Sequence, residues 1–295
     1  MPKKNLFNID NLSAQDLDEN SELIPLMTPE DEIEISKEEL PHTLPILSLR
    51  NTVLFPGVVI PITASRDKSI KLIKDANNFN KLIGVVAQKD ENIEDPKLKD
   101  IYTTGTVAKI LKVLQMPDGN TTVIIQGKKR FQIERVLSET PYITSNIIDY
   151  PEENPGNTNS KFSATIDSIK DLSLEIIKRN PNIPSEASFA IKNIESKSFL
   201  INFVSSNLNL PVKDKQLLLQ TNDLQKRALK TLKHMNVEYK KLKIKNDIQS
   251  KVQNDLSQQQ REYFLHQQMK MHLDCFFEWN QSQPMLHQEG NSLLI

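Results

Sequence analysis

The residues best suited to metal or thiol chemistry lie near the end of the chain. His272 and Cys275 are spaced as His-x-x-Cys, and Cys275 is the single cysteine. A structural zinc site needs four ligands, and the sequence has no second pair of this kind. A Cys–His nucleophile needs a folded cleft, and the surrounding segment has no pattern that builds one. We therefore predict no metal ligands and no thiol nucleophile.

Nucleotide or acyl-transfer chemistry would require glycine-rich motifs. The chain has seven glycines, and none forms G-x-x-x-x-G-K-[ST], G-x-G-x-x-G or the G-x-S-x-G elbow. No two of the five histidines form H-E-x-x-H. Pairs of acidic residues fall in the tail and in loops. The residues alone therefore predict a binding module, with no catalytic and no cofactor-binding residues.

The composition indicates a cytoplasmic protein with an acidic head. A single cysteine fits a reducing compartment, and no stretch approaches the roughly 18 apolar residues of a membrane span. The N-terminus lacks the apolar region of a signal peptide. Residues 1–41 carry 3 Lys or Arg against 11 Asp or Glu, whereas the remainder carries 34 against 27. We expect residues 1–40 to be an acidic, disordered tail.

The region from 41 to 150 has the pattern of a β-rich domain. Short runs such as LPILSLR, VVIPIT and FQIERVL are rich in β-formers, and five of the seven glycines lie here. Pro117-Asp118-Gly119-Asn120 predicts a hairpin turn between VLQM and TTVII. A helix is expected from about Asp67 to Asn77. We predict a closed or nearly closed sheet.

The second half is predicted to be helical. A linker is expected over 151–160, and a helical subdomain over 161–221, with helices near 160–179, 185–207 and 212–220. A long helix should run from about Asn222 to at least Lys270 and project from the body. Five apolar residues in it step by four and three, as in a coiled-coil seam: Ala228, Leu232, Met235, Tyr239 and Leu242. The next four step only by four: Ile244, Ile248, Val252 and Leu256.

Three stretches resemble the Lon family of ATP-dependent serine proteases. They are LPILSLRNTVLFPGVVIPI (44–62), INFVSSNLNLPVKDKQLLLQTNDL (201–224) and QQQREYFLHQQMK (258–270). The resemblance implies an α+β fold: a PUA-like, pseudo-barrel substrate-binding domain, a helical bundle and one long helix. It also implies protein substrates, misfolded or regulatory, and homo-oligomeric, hexameric assembly in the cytoplasm.

Family members continue into an AAA+ ATPase, which uses ATP and Mg²⁺, and a protease with a Ser-Lys dyad. None of those residues has a counterpart here, so we expect a truncated, inactive chain without a cofactor. The family pattern stops after Lys270, where Cys275, Phe276-Phe277 and Trp279 follow. We therefore expect residues 271–295 to be an aberrant tail, either out of frame or replaced, with a divergent but genuine tail as the alternative.

Candidate contacts follow from the motifs. Phe55, before the Pro56-Gly57 turn, is either a core residue or an exposed substrate contact. Arg261, Tyr263 and Phe264 are expected to contact other Lon subunits. Two other functions stay open: a free-standing adaptor that binds unfolded proteins or full-length Lon, and a nucleic-acid binder. The latter would use the helix 226–251, which has nine basic and two acidic residues but only one aromatic residue, Tyr239, to stack on bases.

Overall fold

The computed structural model describes residues 35, 37–116, 120–155, 159–181, 183–184 and 187–281, with side chains described as far as residue 274. The chain divides into two compact units, residues 1–242 and residues 243–295. The sheet and the shorter helices all belong to the first unit. The finer division into six segments from the sequence remains a prediction.

A six-stranded sheet curls back on itself in the first unit. The strands are β1 (Thr43–Leu49), β2 (Val59–Ala64), β3 (Leu82–Ala87), β4 (Thr104–Gln115), β5 (Thr121–Ser138) and β6 (Thr144–Asp149). Their order is β2-β5-β4-β3-β1-β6, and an additional β5–β6 pairing closes the ring. Only β1 and β3 pair in parallel; the other pairs in this sheet are antiparallel.

The closure depends on the length of β5. The 18 residues of this strand pair with β2 and β4 through their first part, and with β6 from Phe131 onward. The sequence runs TTVIIQG and FQIERVL therefore belong to one strand. This strand pairs with β2 and β4 on one side of the closure and with β6 on the other. The predicted closed sheet is confirmed, while the predicted hairpin turn at 117–119 lies outside the described residues.

Two apolar clusters fill the barrel-like sheet. One includes Leu47, Val85 and Ile125, and the helix α1 (Asp67–Asn78) covers it with Leu72 and Ile73. The other surrounds the fully buried Phe131 near the β5–β6 pairing. The spacing of Leu72, Ile73 and Ala76 places all three on one face of α1, which explains why this short helix packs on the sheet.

The helices that follow are α2 (Ser160–Arg179), α3 (Ala187–Asn193), α4 (Lys197–Asn207), α5 (Val212–Leu219) and α6 (Leu224–Gln281). The sequence predicted one helix over 185–207, which is wrong, because the chain breaks into α3 and α4. The Ser196 side chain accepts a hydrogen bond from the Phe199 backbone N–H at 3.0 Å and caps α4. Serine as an N-cap starts a new helix here.

The first part of α6 packs on its own chain. Leu224, Ala228 and Met235 are buried in a cluster formed by α2 to α5, and Leu232, Tyr239 and Leu242 pack against it. The spacing typical of a coiled-coil seam is thus satisfied within one chain. In the second unit, every described side chain from 247 to 274 is exposed. No helix in the described part of the chain is long and apolar enough to cross a membrane.

Candidate functional site

A groove of about 540 Å³ lies where the end of the sheet meets the helices of the first unit. This volume is in the range of about 300–1,000 Å³ that is usual for ligand sites. Its walls come from the turn after β1, the middle of β5, the segment after β6, and α2 and α4. We call it the junction groove. Its apolar lining residues are Ile35, Pro56, Tyr150, Pro151, Pro155, Phe162 and Leu224.

Arg130 of β5 forms part of the floor of the junction groove. Its side chain is almost fully buried, and its guanidinium donates to the backbone oxygens of Leu219 at 2.7 Å and of Pro151 at 3.0 Å. The guanidinium also lies over the Tyr150 ring, 5.1 Å from the ring centre. Arg130 therefore connects the sheet to the end of α5 and to the segment after β6.

Arg227, in the first turn of α6, lies beneath the floor and holds Glu152, a lining residue, from the helical side. It is fully buried, forms an ion pair with Glu152, and donates to Asn202 Oδ1 at 3.0 Å. Its Nη2 donates to the Thr221 carbonyl at 2.6 Å. The second oxygen of Glu152 accepts from the Ser198 hydroxyl at 2.8 Å. Both oxygens of Glu152 are thus occupied, so this carboxylate holds the groove together rather than serving as a free base.

The electrostatics of the floor follow from its burial. Burial raises the pKa of the Glu152 carboxyl, but the charges of Arg227 and Arg130 outweigh this and hold its pKa below the ordinary value. Burial, with a further contribution from the nearby charge of Arg227, lowers the pKa of Arg130 to about 10. Glu152 and Arg130 are therefore both charged at neutral pH.

The charged residues around the groove are mixed, with a basic edge on β5. Lys128 and Lys129 stand side by side there, next to Arg130. Lys197, at the start of α4, places its ammonium 5.7 Å from the centre of the Phe162 ring. The acidic lining residues are Asp149, Glu152 and Glu195. With Glu152 neutralised by its arginines, cations slightly exceed anions in the groove.

Phe55 is not available as an exposed substrate contact in this structure. Its side chain has 0% exposure and belongs to a large apolar cluster with Val53 and Val58. Burial agrees with the alternative that the sequence left open, a core residue beneath the turn. The adjacent Pro56, not Phe55, lines the junction groove.

The predicted assembly residues lie in the second unit, away from the groove in sequence. Tyr263 is 66% exposed and Phe264 is 67% exposed, and Arg261 is exposed as well. Neighbouring apolar side chains Leu265 and Met269 are also more than half exposed. The assembly role of these residues remains a prediction. The side chains of Cys275 and Trp279 lie outside those described.

Sequence reasoning missed the floor of the groove. It assigned 151–160 to a linker, although Glu152 there pairs with Arg227, which lies 75 residues further along the chain. One signal was present: Arg227 follows Leu224 by three residues and precedes Thr231 by four, which places it on the apolar face of α6. A charge on such a face requires a buried partner. Among the described residues, no cluster of three or more His, Cys, Asp or Glu could hold a metal ion.

A closed sheet followed by helices gives an α+β fold, and the junction groove is its candidate binding site. The sequence model of the ATP-dependent protease La (LON) substrate-binding domain matches residues 43–237. The chain therefore belongs to this family, and the resemblance found in the sequence is confirmed.

Known proteins agree with this assignment. The chain is 66% identical over 270 residues to Lon protease of Flavobacterium johnsoniae, covering 92% of this chain and 33% of that protein. It is 46% identical to Lon protease of Cytophaga hutchinsonii, with 89% and 32% coverage. The chain thus spans about a third of the length of these curated relatives.

A solved structure shows the same fold. The N-terminal domain of Lon protease from the Mycobacterium avium complex superposes with a TM-score of 0.55 at 22% identity, covering 66% of this chain and 98% of that one. The match supports the predicted α+β architecture, a closed sheet followed by helices, and at this level of identity it speaks to fold alone.

Proposed function

We propose that this chain is the substrate-recognition and assembly segment of a Lon-type ATP-dependent serine protease. Its targets would be misfolded and regulatory proteins in the cytoplasm, and its partners other Lon subunits in a homo-oligomer, as in a hexamer. The observation that carries the proposal is the match of residues 43–237 to a family defined by substrate binding. The relatives in which this segment recurs are named Lon proteases.

The junction groove is the proposed recognition site. It combines an apolar wall, including Phe162 and Leu224, with charged and polar groups at its edge, and unfolded chains expose both kinds of group. Its floor is held by the interlocked pair of Arg227 and Glu152, so the groove is preformed. A preformed groove reduces the ordering cost of binding a flexible chain.

Binding to a permanently unfolded protein tests the proposal. The purified chain should bind reduced and carboxymethylated lactalbumin, and bind the native, disulfide-intact form of the same protein much more weakly. Equal affinity for the two forms, or no binding to either, would contradict substrate recognition.

This chain should bind protein substrates without hydrolysing ATP or cleaving peptide bonds. We expect the purified chain to show no ATP hydrolysis and no cleavage of unfolded protein above background. Either activity would overturn this part of the proposal if it co-purified with the chain and was absent from a mock preparation.

A further inference from the structure

The chain's own residues before β1 already contact the junction groove. Glu38 pairs with Lys128, with Nζ and Oε1 2.9 Å apart. Lys129 donates from its Nζ to the backbone carbonyl of Glu38 at 2.6 Å. Ile35 lines the groove and packs against the apolar cluster of the helices. This short segment therefore contacts both the basic edge and the apolar wall.

The spacing within the segment makes the two contacts possible together. The Glu38 backbone N–H donates to the Ile35 carbonyl at 3.2 Å, which holds these two residues close together. The Ile35 side chain packs against the helical cluster, and the Glu38 carboxylate contacts Lys128. Lys128 keeps 13% of its side-chain exposure and Glu38 keeps 50%, so this ion pair lies at the edge of the groove and is shielded from solvent on the lysine side.

The groove itself is larger than this segment. Ile35 is one lining residue among many, and about 540 Å³ remains open beside it. The basic pair Lys128 and Lys129 is thus already used as a recognition element by one peptide, with space next to it for more of an extended chain.

We propose that the junction groove recognises acidic peptide segments in which an aliphatic residue precedes a carboxylate by three positions. Ile35 and Glu38 of this chain already make the contacts of such a segment, and an acidic segment of a protein substrate displaces them. This inference rests on the proposed function and names the class of segment that the recognition site takes.

The direct test uses a labelled peptide with the sequence TPEDEIEISKEEL, residues 28–40. Its binding to the full chain is measured by fluorescence anisotropy. The double variant Ile35→Ser/Glu38→Lys weakens the chain's own contacts with the groove and should bind the peptide more tightly. The gain is on the order of tenfold if Ile35 and Glu38 occupy their groove contacts about 90% of the time, because binding to a fractionally available site is weakened by that fraction.

A charge reversal on the groove provides the second arm. Lys128→Glu in the double-variant background should weaken peptide binding by about tenfold or more, since the acid would face a like charge. Lys112→Glu is the matched control: Lys112 is an exposed lysine on β4, outside the groove lining, and its reversal should leave affinity unchanged. A peptide with serine and lysine in place of Ile35 and Glu38 should bind no variant appreciably.

Two results would overturn the inference. One is equal peptide affinity for the wild-type chain and the Ile35→Ser/Glu38→Lys variant. The other is an equal effect of Lys128→Glu and Lys112→Glu. Thermal unfolding of each variant tests whether the fold is retained. If Lys128→Glu fails to fold, the comparison of the wild-type chain with Ile35→Ser/Glu38→Lys still tests the inference. If carboxymethylated lactalbumin binds while the peptide does not, the inference fails and the proposed function survives.

Discussion

Arg227 and Glu152 form a buried ion pair that joins the start of the long helix α6 to the segment after the last strand of the sheet. Arg227 is fully buried, while Glu152 keeps 18% of its side-chain exposure. The pair connects two parts of the first unit that the sequence analysis predicted to be a linker and a helix. It therefore fixes the geometry of the junction groove.

Removing the cation of this pair should destabilise the fold strongly. Arg227→Met leaves Glu152 without its main partner, and breaking a buried ion pair on one side costs about 3 to 5 kcal/mol. Urea denaturation followed by circular dichroism measures the free energy of unfolding. Lys226→Met is the control, since the exposed pair of Lys226 with Asp223 contributes about 1 kcal/mol or less. Similar losses for the two variants would contradict a structural role of Arg227.

The stability of the chain should fall in acid partly through Glu152. Its pKa in the folded chain is lowered from 4.5, so its contribution is present above that pH and is lost as the pH falls through the lower, folded-state value. Asp223 also has a lowered pKa, chiefly through its hydrogen bond from the Lys226 backbone N–H, and adds to the same trend. Glu152→Gln should flatten the acid limb of a stability-versus-pH curve. An unchanged slope would show that Glu152 is not held in its charged form.

Glu238 should show the opposite behaviour. Burial beside the apolar residues of α2 to α4 raises the pKa of its carboxyl, despite a long hydrogen bond from the Asn209 backbone N–H at 3.4 Å. A raised pKa means that the charged form is less favourable in the folded chain, so stability should increase as the pH falls through the raised value. Glu238→Gln should therefore unfold at a higher temperature than the wild type at pH 7. A lower unfolding temperature would contradict this.

Phe55 should act through stability, not through direct contact with substrate. Phe55→Ala opens a cavity in a fully buried site, and such changes cost about 3 to 5 kcal/mol. Phe79→Ala, at a position 87% exposed, provides the comparison and should leave the unfolding temperature nearly unchanged. A Phe55→Ala chain of wild-type stability that had lost binding to unfolded protein would instead support a direct contact.

The exposed aromatic pair of α6 should influence assembly without influencing folding. Tyr263→Ser/Phe264→Ser removes two side chains that are about two-thirds exposed, so the thermal unfolding of the first unit should not change. Sedimentation velocity over a range of concentrations should show weaker self-association than in the wild type. Arg261→Ala tests the adjacent charge in the same way. Unaltered sedimentation for both variants would remove these residues from the assembly surface.

The sequence predicted those features that depend on local pattern. The helix near Asp67 to Asn77 and the one over 160–179 follow from apolar spacing, and the structure places them at Asp67–Asn78 and Ser160–Arg179. The single helix over 185–207 was predicted wrongly because the capping hydrogen bond of Ser196 was not recognised as a helix start.

The junction groove could not be predicted, because its parts are distant in sequence. Arg130, Glu152 and Arg227 come from a strand, a loop and a helix. The position of Arg227 on the apolar face of α6 indicates a buried partner, but nothing in the local sequence identifies Glu152 as that partner. Only the three-dimensional structure shows that Glu152 forms ion pairs with both arginines. The burial of Phe55 likewise depends on the helices that cover it, and a strand-end aromatic is compatible with either exposure or burial at the level of sequence.

Hydrogen–deuterium exchange of the full chain, with and without carboxymethylated lactalbumin, tests most directly whether the junction groove is the recognition site. We expect slower amide exchange at the groove edges, in residues 152–154 and 195–198, when the unfolded protein is present. The backbone amides of α1, which covers the cluster around Leu47, Val85 and Ile125, should exchange at the same rate in both conditions. Protection confined to α1 or to the second unit, with no change at the groove edges, would show that the junction groove is not the recognition site.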